Sequence, residues 1–378
     1  MPFYQSQEQQ IYIDKLGQAI ENFSERAKKL DWTQEFPFEN IEDLKKIGYN
    51  TLTLSQKYGG QGASLYDYLL SQERIARECG STALAIGWHN GIVLELVENP
   101  IWEKDAMDEF FNEVSKGALV NRAATEPQTG SPTRGGRPTT TAAKKGDNWV
   151  INGRKTFTTL SPVLDIFIVS AWVPEDETIG WFLIHKDTPG LRIEETWNMV
   201  AMQNTGSHDI VLENCKIPSK YYVEKQTKKQ SAWLLHIPAC YLGIAIAARD
   251  YAISFAKSYA PNSIAGGTIR DLPNVQKLIG EIELEVNSSR HFLYSVAEKW
   301  DRYPEVRNDL TAQLGAVKVA VTNSALRIVD KAMRVVGAQS LHRDNPLQRY
   351  YRDVRAGLHN PPMEDGAIAM LARSVLFD

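Results

Sequence analysis

Residues 352–365 read RDVRAGLHNPPMED, and this short run holds two side chains able to move protons, His359 and Glu364, on either side of Pro361 and Pro362. A histidine changes protonation near neutral pH, and a carboxylate can do so once desolvated. General acid–base work is the chemistry such a set could carry. Proline lacks a backbone donor and disfavours the helical conformation of the residue before it, so the pair must end one helix and can begin the next. In the purely structural reading, Glu364 is then a first-turn acid favoured by the helix dipole.

Other catalytic signatures are missing. No GxGxxG follows a strand, no GxSxG elbow occurs, and none of the seven histidines forms HExxH. The run GSPTRGG (130–136) has the glycine spacing of a phosphate loop without the Lys and Ser/Thr that should follow. Cys79, Cys215 and Cys240 stand far apart and are odd in number, which excludes a disulfide framework and a CxxC pair, and no metal site is expected. His89, in GWHNG, either lines a pocket or is a satisfied structural group.

The elements that must position these residues fall into three blocks. Residues 1–118 have helical patterning, with a glycine turn at YGGQGAS (58–64), a helix stop at Gly80, and a nearly all-apolar segment over 81–97 that predicts a buried helix. Residues 119–224 carry runs rich in β-branched and aromatic residues, such as WVINGRKTFTT, DIFIVSAWV and HDIVLENCKIP, which predict a β domain. Residues 225–378 return to helical periodicity. There Leu314, Val317, Val321, Ala325, Ile328, Ala332 and Val335 make one apolar stripe over roughly six turns, suited to a four-helix bundle. Segregated classes in this order mean an α+β fold. The net charge of −4 argues against a general nucleic-acid or anionic-membrane binder, and no run reaches the ~18 uninterrupted apolar residues of a span. A cytoplasmic protein is expected, with neither nucleic acid nor membrane as partner.

The helix, sheet, helix order, together with AATEPQTGS (123–131), NGRKTFTT (152–159), RVVGAQSL and PLQRYYRD (334–353), resembles the acyl-CoA dehydrogenase superfamily of flavoproteins over essentially the whole chain. The resemblance implies FAD, with FMN as the alternative, held by Thr125 at the pyrimidine edge and Ser131 near the pyrophosphate. It further implies Phe157 stacked on the ring, Thr159 close to N5, and Gly337 in a turn that meets the flavin across a subunit boundary. A homotetramer follows, and the stripe on 314–335 either faces another chain or is core of its own. The implied reaction is α,β-dehydrogenation of an acyl-CoA or similar thioester, with an electron acceptor protein as partner.

Two departures bear on that reaction. Counted without gaps from Arg352 and Asp353, the family's glutamate base falls on Pro361. The segment QSAWLLHIPACYLG (230–243), from which a minority of the family supplies the base, has no carboxylate. That segment puts Ser231 and Leu234 where the family has coenzyme A contacts, and the element that reaches a neighbour's pyrophosphate is missing unless Arg270 replaces it. A lost base costs ~10²- to 10⁴-fold in rate, and Glu364 brought to the flavin would restore it. The related two-component flavin monooxygenases need no such base. There a flavin reductase would be the partner, His359 would protonate or position oxygen intermediates, and Thr159 would hold them. A catalytically silent flavin-binding member is the third reading.

Overall fold

The structure, a computed structural model, describes residues 3–129, 136–225, 231–264 and 266–377. Its first block is helical: α1 (Gln7–Ala19), α2 (Phe23–Lys29), α3 (Phe38–Lys46), α4 (Leu65–Glu78), α5 (Gly80–Glu98) and α6 (Lys104–Ser115). Side chains cap the starts of α1 and α4. Ser6 accepts from the Gln9 amide at α1, and Ser64 and Asp67 form a reciprocal box at α4. Gly80 does not stop a helix, as its type implied, but opens α5. A Cβ there would lie 2.5 Å from Ile244 Cδ1, so any other residue would have to displace that side chain.

One sheet follows, built from β1 (Val120–Ala123), β2 (Thr141–Lys145), β3 (Asn148–Thr158), β4 (Ile166–Val173), β5 (Thr178–His185), β6 (Leu191–Glu194), β7 (His208–Pro218) and β8 (Tyr222–Lys225). The order is β6-β7-β3-β2-β4-β5-β8, with β1 added parallel to β4. Between Lys155 and Thr158 the long β3 ladder slips against Ile210 and His208 of β7, so three steps of one strand face two of the other. That extra residue is a bulge, and bulges re-aim side chains.

The last block holds α7 (His236–Ser258), α8 (Pro273–Arg302), α9 (Thr311–Val336), α10 (Pro346–Ala356) and α11 (Glu364–Leu376). By length and composition α7 could cross a membrane, yet it packs against α4 and α5 on one side and α8, α9 and α10 on the other, as a central core helix. All seven residues of the predicted stripe on α9 are buried within the single chain, so the stripe is its own core and does not wait for another copy. Burial of each of the five larger ones, Leu314, Val317, Val321, Ile328 and Val335, contributes about 1.5–3 kcal/mol.

The Arg352–Asp353 pair ties the three blocks together. Arg352 bonds Asp31 at 2.6 Å and the Val200 carbonyl at 2.9 Å, and lies 3.9 Å over the Trp32 ring. Asp353, buried beside it, accepts the Met202 amide at 2.7 Å. Burial pushes its carboxyl up from 3.8 to about 6, against the pull of that hydrogen bond.

Candidate functional site: an open hydroxyl-lined strand edge

The bulge in β3 explains the local geometry of KTFTT. Lys155 and Thr158 are fully buried, whereas Phe157 takes the left-handed backbone conformation at φ 56° and stays 50 % exposed. A non-glycine residue held there costs about 1–3 kcal/mol, and such positions cluster at functional sites. The outward ring meets Trp197 edge-on at 5.8 Å, and Met199 and Val200 lie exposed on the segment that carries Trp197.

Next to Phe157 runs a chain of hydroxyls whose proton order follows from its last member. Thr205 donates to the Met202 carbonyl at 3.1 Å, and a carbonyl can only accept. Ser207 must therefore donate to Thr205 at 2.8 Å, and Thr159 to Ser207 at 2.8 Å. Thr159 is left with lone pairs and no proton for anything outside the chain. The Thr159 carbonyl in turn accepts from Asn121 Nδ2 at 2.7 Å.

Thr125 joins this edge through its carbonyl, which accepts the Thr156 amide at 2.9 Å, and its hydroxyl has no partner among the described residues. The next residue, Glu126, forms a wholly buried ion pair with Lys155 at 2.6 Å. Glu126 also accepts from the Thr139 and Thr140 amides and the Thr139 hydroxyl, while Lys155 donates to Ser170. Burial would raise the Glu126 carboxyl, but these donors outweigh it and hold it at about 2. Burial lowers the Lys155 ammonium to about 8 against the opposing pull of Glu126. The two motifs are thus stapled from beneath, a pairing that motif reading passed over although both residues stood inside the quoted runs.

Ser131 lies outside the described residues. Gly337 caps α9 in the left-handed region, φ 71°, with nothing within 4 Å of where a Cβ would stand. At the helix break, α10 ends at Ala356 and α11 begins at Glu364 itself, with Pro361 and Pro362 joined by a cis peptide between them. His359 is exposed, and its side chain makes no hydrogen bond or ion pair among the described residues. Glu364 is also exposed, and it accepts from Asn323 Nδ2 on α9 at 3.3 Å. Arg270 is exposed beside Asp271.

His89 is fully engaged in structure. Its Nδ1 accepts the Val120 amide at 3.1 Å, its Nε2 donates to the Asn50 carbonyl at 2.7 Å, and burial lowers its pKa to about 4. In GWHNG it is the glycines that face α7. A Cβ on Gly87 would lie 2.5 Å from His236 Cδ2, and one on Gly91 2.3 Å from the Trp233 ring. Trp233 and His236 stack at 5.6 Å, with Trp88 edge-on to both. His236 Nδ1 donates to the Trp233 carbonyl, so its buried Nε2 is a bare acceptor without a partner among the described residues, and burial lowers its pKa to about 4. An aromatic plug of Trp88, Trp233 and the neutral His236 imidazole therefore lies between α5 and the start of α7. Glycines spaced by four on a buried helix were the available signal for it.

The edge fits a planar redox ring. Phe157 on β3 offers an open aromatic face, Thr159 just after it an acceptor and Thr125 just after β1 a hydroxyl without a partner among the described residues, beside the buried ion pair. Among the described residues, no group of three or more His, Cys, Asp or Glu side chains could hold a metal ion.

Known proteins resemble this chain over most of its length. Residues 6–99, 121–215 and 235–360 match the N-terminal, middle and C-terminal domain families of acyl-CoA dehydrogenases. The chain is 53 % identical over 374 residues to a putative acyl-CoA dehydrogenase, YdbM, of Bacillus subtilis (strain 168), covering 98 % of each chain. Butyryl-CoA dehydrogenase from Megasphaera elsdenii superposes with a TM-score of 0.87 at 21 % identity, covering 100 % of both chains. KijD3 in complex with FMN and a dTDP-linked amino keto sugar superposes with a TM-score of 0.85 at 23 % identity, covering 99 % of this chain and 95 % of that one. At these identities the two structures share the fold.

Proposed function

Because the chain belongs to the acyl-CoA dehydrogenase family, we infer that it is a flavin-dependent oxidoreductase that oxidises a CH–CH bond, with an acyl-CoA or similar thioester as substrate. The observation that carries this reading is the open edge formed by Phe157, Thr159 and Thr125 above the Glu126–Lys155 pair. When bound, the flavin supplies the hydride acceptor. The chain supplies the rest: Phe157 covers the ring, Thr159 accepts a hydrogen bond at its edge, and the ion pair holds the segment after β1 against β3. Glu364 is the proposed base. In this structure its carboxylate is bonded to Asn323, so it must leave that contact to act.

Within this reading the flavin is FAD, with FMN the alternative, electrons leave to a separate acceptor protein, and copies assemble as a homotetramer in the cytoplasm. The exposed turn at Gly337 and the exposed apolar tail Val375, Leu376 and Phe377 support an assembled form.

Anaerobic mixing of the flavin-loaded protein with acyl-CoAs of graded length should bleach the oxidised flavin. Glu364→Gln should abolish the bleaching, and an unchanged rate would eliminate Glu364 as the base. A second reading, oxygenation of a small molecule by reduced flavin, is favoured by one observation: the counted base position is Pro361, and Glu364 is turned toward α9. In that case bleaching by acyl-CoAs fails, and oxygen is consumed only when reduced flavin is supplied.

A further inference from the structure

Met202 stands between α10 and the strand edge. It is a buried non-glycine residue in the left-handed backbone region, φ 51°, a conformation that persists only where the surroundings over-determine it. They do so here from both sides. The Met202 amide donates to Asp353 Oδ1 of α10 at 2.7 Å. Its carbonyl accepts the Trp197 indole N–H at 3.1 Å and, from Thr205, the hydroxyl at 3.1 Å and the amide at 3.2 Å. Two residues earlier, Arg352 donates to the Val200 carbonyl at 2.9 Å.

Two features of the edge begin at that one carbonyl. The first is the ring pair: Trp197, fixed by its indole on Met202 and by its own amide on His208 Nδ1 at 3.2 Å, meets Phe157 edge-on at 5.8 Å. The second is the hydroxyl order from Thr159 through Ser207 to Thr205, which ends on Met202 and leaves Thr159 an outward acceptor. Thr205 also accepts the Leu160 amide at 3.0 Å, directly after Thr159. A displaced Met202 carbonyl therefore disturbs the aromatic wall and the acceptor together.

We infer that Asp353 is a positioning residue for the flavin: by holding the Met202 amide it aims the carbonyl that sets Trp197 against Phe157 and fixes the proton order at Thr159. Its geometry stands on the Met202 hydrogen bonds, and its consequence for the cofactor rests on the flavin reading given above. Because the action runs through an accepted N–H, a neutral acceptor of the same shape serves as well as the carboxylate. An apolar or shorter side chain does not.

The test follows Trp197 and the flavin separately in the full-length protein. With 5-fluorotryptophan at all nine tryptophans, Trp197→Phe identifies the Trp197 fluorine resonance. In the flavin-free protein, Asp353→Leu and Asp353→Ser, one apolar and one polar but neither able to reach the Met202 amide, should move that resonance while those of Trp149 and Trp181 in the sheet hold. Asp353→Asn should keep it at the wild-type position. Titration with oxidised and photoreduced FAD should then show the preference for the reduced form cut about fivefold in the Leu and Ser variants and retained in Asn. Adding Ser207→Ala to Asp353→Leu should lower it no further, since both act on one relay. A Trp197 resonance unmoved in the Leu and Ser variants overturns the inference whether or not flavin binds. So does a wild-type preference in a variant whose resonance has moved, or an Asn variant that behaves like Leu. Binding of neither form by the wild type defeats the flavin reading, and a Trp197 shift in that case still upholds the hold of Asp353 on Met202.

Discussion

Thr159 donates its hydroxyl proton to Ser207 at 2.8 Å, because Ser207 has spent its own on Thr205 and Thr205 on the Met202 carbonyl. The outward face of Thr159 is therefore an acceptor, and an acceptor complements an N–H, the group a flavin carries at N5 once reduced. Ser207→Ala breaks the order and frees the Thr159 proton. The loss of about 1 kcal/mol of preference for the reduced form corresponds to ~20 mV in a two-electron potential. The potential of the bound flavin should fall by that order in Ser207→Ala, measured by dye-coupled reduction; a potential that stays put or rises would disprove the relay.

Phe157 separates stability from binding. Glycine tolerates the left-handed conformation freely, so Phe157→Gly relieves about 1 kcal/mol of backbone strain while deleting the exposed ring. Flavin affinity should drop while denaturant stability of the flavin-free protein holds or rises. A variant that loses both would mean the ring is a structural contact.

The staple beneath the edge has a signature in double substitution. Glu126→Gln leaves the buried Lys155 ammonium without its carboxylate, and Lys155→Met leaves Glu126 charged and buried. Each should cost about 3–5 kcal/mol in urea unfolding, and the pair Glu126→Leu with Lys155→Met should recover much of it. Strict additivity of the single costs would refute the pairing.

Asp353 predicts a pH dependence with a definite sign. Its folded pKa lies above the unfolded one, about 6 against 3.8, so its contribution to stability is fully present below pH ~4 and is lost as pH rises through about 6. The stability difference between wild type and Asp353→Asn should therefore move against the wild type between pH 4 and 6.5, by up to about 3 kcal/mol. A flat difference across that window would place Asp353 in a less buried setting.

Much of the fold was legible because each block states its class in local chemistry: a nearly all-apolar run on α5, β-branched runs in the sheet, apolar spacing of three and four on α9. The family was legible through the order of its motifs. What stayed hidden depends on contacts far apart in sequence. Glu126 meets Lys155 only after the segment following β1 is laid against β3, and the role of Gly87 and Gly91 is invisible until Trp233, just before α7, and His236, its first residue, arrive. Gly80 reads as a stop by type, yet Ile244 makes it a packing residue. His89 drew attention as a lone buried histidine, and two backbone partners account for it.

The plug between α5 and α7 gives a simple steric prediction. Gly91→Ala drives a methyl to 2.3 Å from the Trp233 ring and should cost about 1–3 kcal/mol of stability, with partial rescue by Trp233→Leu. Loss without rescue would point to backbone strain in α5 instead.

The central claim is that the Thr125, Phe157 and Thr159 edge clasps a flavin ring. Titration of the purified, flavin-stripped chain with oxidised and photoreduced FAD, followed by visible absorbance and tryptophan quenching from Trp197, tests it most directly. The account predicts saturable binding at one flavin per chain that is weakened at least tenfold by Phe157→Ala. Absence of binding in both redox states, or binding indifferent to Phe157, would contradict it.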